Sequence, residues 1–281
     1  MKMAPDVITS RKNAVLSAAA ALREKKVRDR ERAFLADGKK LFSELCKAGA
    51  EVRTVFLRAD AEKDLFPVLE RGEAILGRSF EVFRVAPEAF SRLTEQQAPD
   101  GIVSVAEFLS GRHGRVPAGG AIPAPAAGER ALILSSLQDP GNLGAVARSA
   151  LAFGTKKLYL SADCADFYAP KTLRASMGAF FHLDVTVCPD LALLVRALRA
   201  AGRRVLAAEL REGAVPVSGA RLSPRDVLIV GNEGHGIPPE VSAEADGSVF
   251  LPIAPEAESL NAAAAASVLL YLQREGGRER K

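Results

Sequence analysis

Residues 131–154 read ALILSSLQDPGNLGAVARSALAFG: a strand-like apolar run, a turn at Pro140 and Gly141, and a helical pattern in direct succession. Over 142–153 the apolar residues Leu143, Val146, Ala147, Ala150 and Leu151 recur at helical spacing, so one side of that helix has a surface to bury. Strand-like runs at 157–161, 205–208 and 227–230 and a helical pattern at 191–201 continue the alternation. Strands alternating with helices predict an α/β domain, a parallel sheet with covering helices. Ligands of such sheets bind outside the carboxyl ends of the strands, where a helix N-terminus offers unpaired N–H groups to an anion. Asn142 stands at such a helix start and Arg148 follows six residues later. On pattern alone Arg148 is either a surface residue or a ligand contact.

Upstream, residues 111–130 (GRHGRVPAGGAIPAPAAGER) hold five Gly, three Pro and five Ala, with almost nothing to bury, and read as an interdomain linker. Before it, a strand-like VRTVFL at 52–57 alternates with helical patterns around 34–45 and 87–93, which predicts a second, small α/β domain. A length of 281 residues suits two domains of about 150 residues each.

Composition removes whole classes. With 48% hydrophobic and 26% charged residues the chain is neither collagen-like nor wholly disordered. The longest apolar run, 262–272 with Ser267 inside it, has 11 residues against the roughly 20 of a membrane helix, so it reads as a core or interface helix. Cys46, Cys164 and Cys188 are far apart and form no CxxC, which argues against a disulfide framework or zinc module and fits a reducing, cytoplasmic compartment. His113, His182 and His235 lack metal-ligand spacing, so no metal is expected. The stretch 14–22 imitates a signal-peptide core, but Asp6 precedes it and REKK follows at once. Residues 11–32 carry eight cations against three carboxylates, a local +5 in a chain whose net charge is +4. That segment is either a solvated helix face with local ion pairs or a contact for a polyanion.

Two further constellations lie downstream. VLIVGNEGHGI at 227–237 is a strand running into a loop with Gly231, Gly234 and Gly236 around Glu233. Its spacing is not GxGxxG, and Pro238 and Pro239 stand where the helix of a dinucleotide site would start. His235 reads as a turn residue and not as a base. FLPIAPEAESLNAAAAASVLLYLQRE at 250–275 is a short strand, a Pro-broken loop and a helix opened by Ser259, Leu260 and Asn261. Serine at a helix start is usually an N-cap, and the alanines after Asn261 permit close approach of another backbone or a ligand.

In this order, NLGAVARSA, VGNEGHG and LPIAPEAESLNAAAAAS resemble the three motifs of the SpoU (TrmH) family, which methylates RNA ribose 2′-hydroxyls with S-adenosylmethionine. The resemblance runs from residue 131 to the C-terminus. FLADGKKL at 34–41 and QAPDGIVSVAE at 97–107 are similar to the substrate-binding domain of rRNA-directed members. The resemblance implies an α/β fold of SPOUT type with a C-terminal trefoil knot, an exception to the rule against knotted chains, and a homodimer with the active site at the subunit interface. The expected division is an RNA substrate-binding domain over 1–110, the linker 111–130, and the knotted methyltransferase domain over 131–281. It further implies that Gly231, Leu251, Ile253 and Leu260 line the S-adenosylmethionine pocket and that Asn142, Arg148, Glu233, Ser259 and Asn261 form the polar catalytic site. Arg148 would hold the ribose or adjacent phosphate and stabilise the developing alkoxide, Glu233 would orient its loop, and Ser259 and Asn261 would position the hydroxyl or the loop. One departure is that five alanines follow Asn261 where many members continue with valine and serine.

Within that reading rRNA is favoured over tRNA as the RNA partner, because a domain of about 110 residues precedes the linker. A tRNA-directed enzyme remains the alternative, as does a non-catalytic RNA-binding or ribosome-assembly protein of the same fold. The five polar positions argue against the latter. A generic nucleotide-binding α/β enzyme lacks its phosphate loop here.

Overall fold

Alternating apolar runs and amphipathic helices become a sheet with covered faces only when the runs pair, and in this chain they pair into two separate sheets. The computed structural model describes residues 2–276 except 118, 127 and 233. Two units result: Met1–Ser110 with Asp166–Phe181, and Gly111–Ala165 with His182–Lys281. In chain order the elements begin with β1 (Lys2–Ile8), α1 (Ala14–Ala21), α2 (Lys25–Glu31), β2 (Ala33–Asp37), α3 (Lys39–Lys47), β3 (Val52–Arg58), α4 (Glu62–Leu76), β4 (Glu81–Val85), α5 (Pro87–Phe90) and β5 (Ile102–Glu107). They continue with β6 (His113–Arg115), β7 (Ala131–Leu134), α6 (Pro140–Ala152), β8 (Lys157–Ser161), α7 (Pro170–Ser176), β9 (Asp184–Cys188), α8 (Leu191–Ala200), β10 (Val205–Ala208), β11 (Val215–Pro216), β12 (Val227–Val230), α9 (Pro239–Ser242), β13 (Gly247–Phe250) and α10 (Ala262–Gly276).

The first unit is built on a five-stranded sheet of order β1-β4-β3-β5-β2, parallel through β1, β4 and β3 and antiparallel through β5 and β2. Leu16, Ala19 and Leu22 of the α1 region pack with Leu35, Phe56, Val103 and Phe90. Each such buried large side chain contributes about 1.5–3 kcal/mol relative to exposure. The stretch 34–45, expected as helical, divides at Gly38 into β2 and α3. Gly38 has φ +112°, a backbone region that side-chain-bearing residues rarely adopt, and it ends the strand. All five β2 residues are buried, and an apolar run buried on both faces shows no period from which strand and helix can be told apart.

Sequence order assigns Asp166–Phe181 to the second domain, yet this segment packs in the first unit. Tyr168 stacks on Phe108 with ring centroids 4.1 Å apart and lies 4.6 Å from Phe34. Asp166 accepts from Arg28 Nη2 at 2.6 Å. Arg28, 3% exposed, also donates to Leu22 O at 2.8 Å, so this member of the basic segment is structural. Lys25 and Arg30 form exposed pairs with Asp29 and Glu31, as the solvated-face reading expects.

The second unit holds an eight-stranded sheet of order β11-β13-β10-β12-β7-β8-β9-β6, parallel at every pairing. Its central strands β7 (ALIL) and β12 (VLIV) are buried throughout, as an interior parallel strand requires. On one face Leu191, Leu194, Val195 and Leu198 of α8 and Val241 of α9 join Ile133, Ala207 and Ile229 in a core. Elsewhere α6 packs on α10, with Leu143, Val146 and Ala147 of one and Ala262, Ala266, Leu269 and Leu270 of the other buried, and the Ser149 and Ser267 hydroxyls 2.7 Å apart. The alanine run thus serves close helix contact. Part of the expected linker is not free: β6 pairs with β9 at the sheet edge, and Pro123 O accepts from Tyr159 Oη at 2.5 Å. An edge strand needs only backbone groups, so its composition does not betray it. Among the described residues no helix is long and apolar enough to cross a membrane.

Candidate active site

The site gathers at the carboxyl ends of β7, β12, β13 and β10. After β7 the chain turns into α6 through Asp139, whose Oδ1 accepts from Asn142 N at 2.8 Å, with Pro140 as first helical residue. Proline there sacrifices no hydrogen bond and is preset for the helix. Asn142 therefore lies inside the first turn and not at the cap. Its Oδ1 accepts from Asn261 Nδ2 at 2.9 Å.

Asn261 does two things at once. Its Oδ1 accepts from Ala263 N and Ala264 N at 3.0 and 3.2 Å, capping α10, while its amide nitrogen reaches Asn142. The cap expected at Ser259 is therefore at Asn261, because the helix does not begin until Ala262. Two helix N-termini, of α6 and α10, are tied together by these side chains. Each helix head carries about half a positive charge; at α6 the Asp139 carboxylate already meets it, whereas α10 is capped only by the neutral Asn261 amide and so favours an anion nearby.

After β12, Gly231 has no room for a side chain: a Cβ would sit 2.4 Å from Gly236 O. That close approach lets Asn232 and Gly236 exchange backbone hydrogen bonds of 3.2 and 2.9 Å. Asn232 organises the loop further, since its Oδ1 accepts from Gly234 N at 2.7 Å and its Nδ2 donates to Ser136 O at 2.9 Å, stitching the loop to the end of β7. Glu233 lies outside the described residues. His235 is exposed.

Leu251, Ile253, Ser259 and Leu260 share one cleft of about 370 Å³, with Ala208, Glu209, Leu210, Pro252, Glu258, Ala265 and Leu269 in its walls. Gly231 is not in those walls; its part is to close the neighbouring loop. Arg148 is exposed and, among the described residues, forms no hydrogen bond or ion pair with Asn142, Ser259 or Asn261. Six residues turn a helix by about 240°, so Asn142 and Arg148 face different ways. The structure thus joins Asn142 to Asn261 and groups Ser259 with three of the four apolar candidates, while Arg148 stands apart.

Asp139, Asn232 and Glu209 were not singled out by sequence. The Asp-Pro pair at a helix start is a capping signal that points to Asp139. Asn232 and Glu209 carry no local signal, since their partners Ser136, Ser242 and Ser248 are remote in sequence.

The chemistry of the cleft suits an adenosyl group bearing a charged chain: aliphatic walls for a flat base, with carboxylates and a hydroxyl between them. Residues 129–271 match the SpoU rRNA Methylase family, and residues 13–104 match the MRM3-like substrate binding domain. The chain belongs to the SpoU rRNA methylase family. The SpoU match covers β7 through most of α10, and so every element of the site. Among relatives of this SpoU member, the 23S rRNA (guanosine(2553)-2′-O)-methyltransferase RlmP of Bacillus subtilis is 31% identical, over 94% of this chain and 97% of its own. The 23S rRNA (uridine(2479)-2′-O)-methyltransferase of Streptomyces viridochromogenes is also 31% identical, over 94% and 90%. Among solved structures, the AdoMet-bound rRNA methyltransferase of Sinorhizobium meliloti superposes with a TM-score of 0.80 at 30% identity, covering 96% of this chain and 97% of that one.

Proposed function

We propose that this SpoU member methylates a ribose 2′-hydroxyl of ribosomal RNA, using S-adenosylmethionine. The observation that carries the reading is the Asn142–Asn261 bridge between two helix N-termini, in the same loop system that lines the cleft with Leu251, Ile253, Ser259 and Leu260. Relatives named as rRNA 2′-O-methyltransferases match over 94% of the chain, which supports rRNA over tRNA.

When bound, S-adenosylmethionine supplies an activated methyl group. What remains for the protein is alignment, exclusion of water and care of the hydroxyl proton and the charge left on oxygen. With the donor bound, the aliphatic walls of the cleft would pack against it and keep water from it. The N-terminus of α10, capped by a neutral amide, stabilises negative charge developing on the ribose oxygen. Arg148 holds the ribose or neighbouring phosphate and adds a permanent positive charge; guanidinium is too weak an acid to serve as base. Glu233 orients the loop after β12, and Ser259 and Asn261 position the hydroxyl.

A second copy of the chain belongs to this proposal. Val268 and Tyr271 of α10 are 43% and 49% exposed on the helix that carries Asn261 at its head, and a two-fold partner would cover them. In such a dimer the exposed Arg148 serves a site that both copies build. The trefoil knot, a division into RNA-binding residues 1–110 and methyl-transferring residues 131–281, and a cytoplasmic location complete the reading.

The test is mass-spectrometric mapping of 2′-O-methylated nucleosides in rRNA and tRNA from cells with and without the protein. One rRNA methyl lost and restored by wild type but not by Arg148→Ala is the expected result. A lost tRNA methyl would move the substrate, and no lost methyl would leave an RNA-binding protein without catalysis.

A further inference from the structure

Glu209 follows β10 directly, its backbone N–H held by Val249 O of β13 at 2.9 Å, and the residue is one of those that line the cleft. One carboxylate oxygen, Oε1, takes the hydroxyl of Ser248 at 2.9 Å, the hydroxyl of Ser242, and Arg211 Nε at 3.2 Å. Both serines are buried. The carboxylate is therefore fixed in direction through one oxygen, while Oε2 takes no hydrogen bond among the described residues. A carboxylate so held is suited to a pair of directional donors. Glu258, the other carboxylate in the walls, is exposed and unpaired among the described residues, which suits a cation that needs no direction.

Resting on the methyl-donor reading above, we propose that Glu209 is the residue that recognises the ribose hydroxyls of the donor's adenosine, with Ser242 and Ser248 as the positioning residues that aim it. A vicinal diol presents two O–H donors, and a carboxylate at a strand's carboxyl end is well placed to accept them. The aliphatic part of the cleft, Leu251, Ile253 and Leu260, then takes the adenine.

Isothermal titration with S-adenosylhomocysteine and its 2′-deoxy and 3′-deoxy analogues tests this without any turnover. On wild type the loss of either hydroxyl should weaken binding on the order of tenfold or more, the usual effect of removing a hydrogen bond to a charged group. Glu209→Gln, which keeps an acceptor for the two serines, should bind the parent compound about tenfold more weakly and no longer distinguish the deoxy analogues. Equal affinity of wild type for parent and deoxy compounds, a measurement that needs no variant to fold, overturns the assignment. So does a deoxy penalty that survives in Glu209→Gln, or a loss confined to the cationic S-adenosylmethionine, which would make Glu209 a counter-charge. Failure of wild type to bind S-adenosylhomocysteine at all would instead remove the donor reading itself.

Discussion

Asn261 and Asn142, 119 residues apart, meet through one amide hydrogen bond of 2.9 Å, and with it the heads of α10 and α6 are joined. The same Asn261 side chain caps its own helix through the other end of the amide. Capping and bridging can therefore be separated. Asn261→Asp keeps the capping oxygens and loses the donor toward Asn142, so stability should stay within about 0.5 kcal/mol of wild type while methylation falls sharply. Asn261→Ala should lose both, at about 1 kcal/mol of stability. Urea unfolding beside a methyl-transfer assay reads the difference; equal activity of the aspartate variant and wild type would falsify the bridge as a catalytic element.

Gly231→Ala forces a Cβ against the Gly236 carbonyl at 2.4 Å. The neighbour is backbone and cannot swing aside, so the loop must open at a cost of about 1–3 kcal/mol. The expected result is a lower urea midpoint together with weaker cofactor binding. Unchanged binding would show that the loop after β12 does not shape the donor site.

Arg148→Ala removes an exposed side chain without a structural partner among the described residues, so its thermal midpoint should stay near wild type. Methylation should disappear while S-adenosylhomocysteine still binds with wild-type affinity. A matching loss of donor affinity would place Arg148 in the donor site instead.

Arg28 predicts the opposite pattern. It is buried against Asp166, and Arg28→Ala leaves that partner uncompensated, at about 3 kcal/mol. The unfolding midpoint should drop. RNA affinity per folded molecule should not, whereas neutralising the exposed Arg11, Lys12 and Lys26 should weaken RNA binding and flatten its dependence on salt.

Burial pushes the Cys46 and Cys188 thiols up to about 11 from 9.0. In the folded protein both stay neutral where the unfolded chain ionises. Their contribution to stability is therefore full below pH 9 and is lost as pH rises toward 11. At pH 8 a disulfide reagent should label these two thiols far more slowly in native protein than in urea, and fast native labelling would contradict their burial.

Much of the local geometry around the candidate site could be read from short stretches because its residues sit at element boundaries, where residue type and backbone geometry are tightly coupled. The loop after β12 is an example: Gly231 is required by a contact with Gly236 only five residues away. The alternation of strands and helices after residue 130 likewise announced a parallel sheet, since interior strands must be apolar on both faces. Other readings failed for physical reasons. Residues 34–37 are buried on both faces and so show no period, and residues 113–115 join a sheet edge through backbone groups alone, which composition cannot register.

By itself the sequence determined the class of fold, the order of the motifs and the chemical kinds of group among the candidate site residues, because each follows from local pattern. Only the tertiary structure decided which of them meet. It put Asn261 on Asn142, drew Asp166–Phe181 into the first unit beside Arg28, and set Glu209 between two buried serines at the cleft wall. Such contacts join residues 33 to 138 positions apart. They are set by how sheets and helices close on one another, and no local propensity encodes that distance.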